Sequence, residues 1–134
     1  MSVRTTLKIM TGAAVALMFV APAFAEGDVA KQMATAEAHA GFAVKAADLA
    51  GVQMHLHHVV NCIVGPSGQG FDATPGNPCK DQGSGIMPDF KGADAKRSAL
   101  QKALDDAQAG LKATDVAAAR QKAADAQAML HEAM

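Results

Sequence analysis

Leu49, Val52, Leu56, Val59 and Ile63 recur at spacings of three, four, three and four. That rhythm puts one apolar stripe along an α-helix and excludes a half-buried strand, whose period is two. Three more segments carry the same seam. Val29, Met33, Ala36 and Ala40 mark a helix over residues 28–44, preceding the one over 48–64. Leu100, Leu104, Ala107 and Leu111 mark a third over 93–111. Val116, Ala119, Ala123, Ala126 and Leu130 mark a fourth over 115–132, with Thr114 as its expected N-cap.

The first and last pairs resemble each other. Ala38-His39-Ala40-Gly41-Phe42 leads to Ala47-Asp48-Leu49, and Ala107-Gln108-Ala109-Gly110-Leu111 leads to Thr114-Asp115-Val116. Each reads as a helix closed by a glycine breaker, a turn and an acidic first turn, the second turn being two residues shorter. Two such αα-hairpins predict an all-α fold, a four-helix bundle. Between them lies an irregular loop, 65–92, with seven Gly and four Pro. Phe71, Ile86, Met87 and Phe90 are its apolar anchors.

The first 25 residues stand apart. Arg4 and Lys8 precede an apolar run from Ile9 to Val20, and Ala23-Phe24-Ala25 is a small-x-small cleavage site. This is the pattern of a signal peptide, the run being too short to span a bilayer. The expected product is therefore a single helical domain over 26–134, periplasmic or secreted and free of the membrane.

Its charge balance is 10 Lys and Arg against 13 Asp and Glu. That mild acidity argues against nucleic acid, which needs clustered cations. Alanine supplies 25 of residues 26–134, so the helices are thin and the core is light. A small domain of this kind gains from a covalent staple or a bound ion. Cys62 and Cys79 are an even pair in an oxidising compartment, so a disulfide tethering the loop to the second helix is expected.

The densest polar chemistry is His55-Leu56-His57-His58, closely followed by Cys62. At 100° per residue, His55 and His58 share one flank of the stripe with Cys62, while His57 projects on the other side. Residues three apart are neighbours on a helix, so His55 and His58 can offer two imidazoles to one ion. In an antiparallel hairpin His39 lies level with them as a third ligand, and His57 is a further candidate. Copper(II), nickel(II) or zinc suits such a set, with Glu37, Asp72, Asp81 or loop carbonyls available to complete the shell. Were the cysteines reduced, His58 and Cys62 would form an i, i+4 pair suited to copper(I) or zinc. The competing structural reading is a set of surface histidines that hold no ion.

Ala34-Thr35-Ala36-Glu37-Ala38-His39-Ala40 and the histidine cluster resemble small periplasmic metal-binding proteins built of helical hairpins with His in Ala-rich repeats. That resemblance implies metal buffering, resistance or delivery. A second resemblance rests on an early Met33 and a late His131. It is to the soluble periplasmic b-type cytochrome, a four-helix bundle that holds haem through Met and His, and it implies electron transfer. No C-x-x-C-H is present, which excludes covalent haem attachment of that type. A third possibility is a partner-binding module that presents the stapled loop; the sequence names no protein partner.

Enzyme signatures are lacking. Gln69 stands where a nucleophile elbow around Ser67 needs glycine, and Asp105-Asp106 reads as a solvated helix face. The expectation is a non-catalytic protein.

Overall fold

The computed structural model describes residues 27–134; the expected signal peptide lies outside the described residues. Among them are five helices and no strand: α1 (Val29–Lys45), α2 (Leu49–Val64), α3 (Ile86–Asp89), α4 (Asp94–Lys112) and α5 (Val116–Ala133). None is long and apolar enough to cross a membrane. α1 packs against α2 and α5, while α4 packs against α5 and α2. These pairings are compatible with the expected four-helix bundle.

The seams face inward as the spacing requires. Val52, Leu56, Val59 and Ile63 are fully buried, as are Ala36, Ala40, Leu100, Ala107, Ala119, Ala123, Ala126 and Leu130. With so many alanines inside, the helices approach closely. At Gly110, an added Cβ would stand 2.5 Å from Leu56 Cδ1. The two glycines read as breakers are thus helix-interior residues, α1 continuing to Lys45 and α4 to Lys112. Gly110 admits a neighbouring side chain, and Gly41 faces the Gln127 amide.

What ends these helices is the segment after each lysine. Ala46-Ala47-Asp48 and Ala113-Thr114-Asp115 are turns of equal length, contrary to the expected difference. Each closes with a capping aspartate: Asp48 accepts from the Gly51 backbone N–H at 2.8 Å and Asp115 from that of Ala118 at 2.9 Å. The cap of α5 is therefore Asp115, one residue beyond Thr114. Its carboxylate satisfies an otherwise orphaned N–H and suits the positive end of the helix dipole. Gln53 on α2 donates to the carbonyls of Leu111 and Ala113, binding the second turn to the start of α2.

The long connection is ordered by its anchors. Ile86 is fully buried, Phe90 nearly so, and Phe71 and Met87 pack partly against the core. A single helical turn, α3, forms within the expected irregular stretch. Four residues are too few to impose a period on the sequence. The Arg97 guanidinium donates to the carbonyls of Met87 and Phe90 and lies over the Phe90 ring, fastening this turn to α4.

Candidate metal centre

The Cys62–Cys79 disulfide forms, and no described cysteine is free. The thiolate alternative for Cys62 therefore falls: its sulfur is already bonded. Beside the disulfide, the buried Asn61 amide donates to the carbonyls of Asp72 and Gly76 at 2.6 and 2.7 Å. Its oxygen accepts from the Asp72 backbone N–H at 2.9 Å. All three bonds reach the loop's own backbone, so residues 72–76 are held firmly along α2. Nothing in the periodicity of the sequence singled out Asn61. Its only signal was an amide placed next to the cysteine of a stapled helix.

Pro75 lies between those two anchored residues, and its carbonyl stands 2.7 Å from His58 Nε2. A carbonyl can only accept, so Nε2 carries the proton. In a neutral imidazole this leaves Nδ1 with a bare lone pair. That nitrogen points toward α1, where His39 Nδ1 lies 3.1 Å away. His55 Nδ1 approaches the same His39 nitrogen at 3.2 Å. The hairpin register thus brings the three histidines together, each half-buried, with ligand atoms all within 4.8 Å of one another.

Two features of this cluster suit a cation. A tetrahedral ion with nitrogen ligands at about 2.0–2.1 Å separates those nitrogens by roughly 3.3–3.4 Å, close to the 3.1 and 3.2 Å that separate His58 and His55 Nδ1 from His39 Nδ1. The proton arrangement is also incomplete without one. His39 Nδ1 must donate to the bare His58 nitrogen, and then has no lone pair for His55. One proton faces two neighbours. A cation taking a lone pair from each ring removes that conflict.

The electrostatics keep the rings available. Burial, with the fields of His58 and His55 added, pushes His39 down to about 4. His55 is lowered by burial and by His58. Neutral imidazole is the ligating form. Phe42 packs edge-on against His39, with ring centroids 5.4 Å apart, and lies tilted against His55 at 5.5 Å.

The remaining candidates go elsewhere. His57 is not in the cluster; its Nδ1 is buried without a hydrogen-bond partner, 4.0 Å from Asp72 Oδ2. Asp72 itself accepts from the Thr74 backbone N–H. Glu37 meets His131 at 3.2 Å on the far side of α1. Among the described residues, no Asp, Glu or Cys joins the three histidines, so Glu37, Asp72 and Asp81 do not complete the shell. The two residues of the haem pair sit in contrasting surroundings. Met33 is packed into the core at 4% exposure, whereas the His131 side chain is 79% exposed.

No protein-family model, curated protein or solved structure matches the chain.

Proposed function

We propose that the protein is an exported, non-catalytic binder of a transition-metal ion, held by Nδ1 of His39, His55 and His58. The observation that carries this reading is the convergence of three imidazoles, with Nδ1 of His55 and of His58 at 3.2 and 3.1 Å from Nδ1 of His39. Imidazole suits copper(II), nickel(II) and zinc alike. Buffering, resistance or delivery of that ion in the periplasm or outside the cell fits an ordered bundle stapled by a disulfide. Residues 1–25 act as the export signal, and the intact mass of the exported protein, starting at Glu26, checks this.

Calorimetric titration of copper(II), nickel(II) and zinc tests the site. One ion per chain is expected, and removing one of three ligands should weaken binding by at least tenfold. His39→Ala, His55→Ala and His58→Ala should each do so, while His57→Ala and His131→Ala leave the affinity unchanged. Equal effects from all five substitutions, or no binding above that of a surface histidine pair, would refute the proposal. Haem uptake followed by absorbance, and lost in Met33→Leu and His131→Ala, would establish the cytochrome-like alternative instead.

A further inference from the structure

Building on the metal-site reading, we infer that the bound ion keeps one coordination position open to a small exogenous donor, water or a monodentate anion. The protein supplies three nitrogens, and a four-coordinate ion needs one ligand more. Each side chain able to supply it has another place in the fold. Glu37 is on the opposite side of α1 from the cluster, engaged with His131. The Asp72 carboxylate is turned to Thr74, and the Pro75 carbonyl is taken by His58 Nε2. No fourth Asp, Glu, His or Cys among the described residues has a ligand atom within reach of all three nitrogens.

The surroundings give that position access to solvent. The three rings are half-buried at the outer edge of the α1–α2 pair, rather than in its interior. Phe42, packed on two of them, is 50% exposed. On the other flank Met54, four residues before His58, is 44% exposed. The His58–Pro75 contact takes up the loop side of the cluster, and with exposed side chains beside the rings solvent is the nearest source of the fourth ligand. An open vertex also offers a route for exchange, because an incoming donor can bind before any histidine lets go. That is what a protein that passes its ion on requires.

Cobalt(II) reports this vertex through its visible bands, which respond to coordination number and ligand type. One equivalent added to the disulfide-bonded protein should give bands that depend on His39, His55 and His58. Azide should then shift those bands with a saturable titration. Glu37→Gln and Met54→Leu should leave both the bands and the azide response unaltered. Bands indifferent to azide, or changed by either substitution, would mean that the protein closes the fourth position itself and would overturn the inference. If no bands depend on the three histidines, the metal site itself is wrong and the open vertex falls with it. The two failures are distinct, since the first leaves histidine-dependent bands in place.

Discussion

His39 shows how one side chain links the fold to pH. Its ring is held near 4 by burial and by two neighbouring imidazoles, against an ordinary value of 6.5. Above the ordinary value both folded and unfolded chains carry it neutral. As the pH falls below that value, the unfolded chain takes a proton that the folded one refuses, so stability drops until the folded ring protonates at about 4. Metal-free protein should therefore have a lower urea midpoint at pH 5 than at pH 7, and His39→Gln should flatten that difference. An unchanged slope in the variant would place the acid sensitivity elsewhere. The same lowering means that protons compete for His39 and His55 only at lower pH than for an ordinary histidine, so metal binding should persist correspondingly further into acid.

Among the helices, Gly41 and Gly110 should respond in opposite ways to alanine. A Cβ at Gly41 meets the far end of the flexible Gln127 amide at 3.0 Å, which can swing aside. Relief of the glycine penalty then stabilises α1 by about 0.5–1 kcal/mol. At Gly110 the Cβ would strike Leu56, which is fully buried and cannot yield. Overpacking of this kind costs about 1–3 kcal/mol and outweighs the helix-propensity gain. Chemical denaturation of Gly41→Ala and Gly110→Ala checks the signs. A single sequence could not separate these roles, because glycine at a helix end and glycine at a helix crossing look alike until the neighbour is known. The histidine triad was legible for the converse reason. Its spacing on α2 follows from 3.6 residues per turn, and the short turn at Ala46–Asp48 fixes which residue of α1 lies opposite.

Across the whole molecule, the aperiodic loop is what the sequence concealed. Asn61 and the Pro75 carbonyl act through polar contacts with the loop backbone and His58 that leave no hydrophobic pattern, whereas Ile86 and Phe90 announced their anchoring by apolar character and Cys62 and Cys79 their link through compartment and number. This loop joins stability to the site, since the disulfide and Asn61 hold the carbonyl that fixes the His58 tautomer. In the chain-entropy model a cross-link closing a loop of this length contributes about 3 kcal/mol. Reduction should lower the melting temperature and expose residues 65–85 to proteases. Asn61→Ala strands three backbone groups and should cost about 2–4 kcal/mol. Asn61→Ala, and Cys62→Ser combined with Cys79→Ser, should also weaken metal binding, about 10-fold or more, because a lost partner of a ligating histidine has effects of that size. Unaltered affinity in both variants would separate the loop from the site.

The proposed ligands are the Nδ1 nitrogens of His39, His55 and His58. Long-range proton–nitrogen NMR of the imidazoles, recorded as zinc is added, observes each of them directly. One equivalent should move the Nδ1 signals of His39, His55 and His58 together, with His58 Nε2 still protonated on the Pro75 carbonyl and with His57 and His131 unmoved. Shifts spread over all five histidines, or zinc bound through His57 or His131 while the Nδ1 signals of the three stay in place, would contradict that assignment.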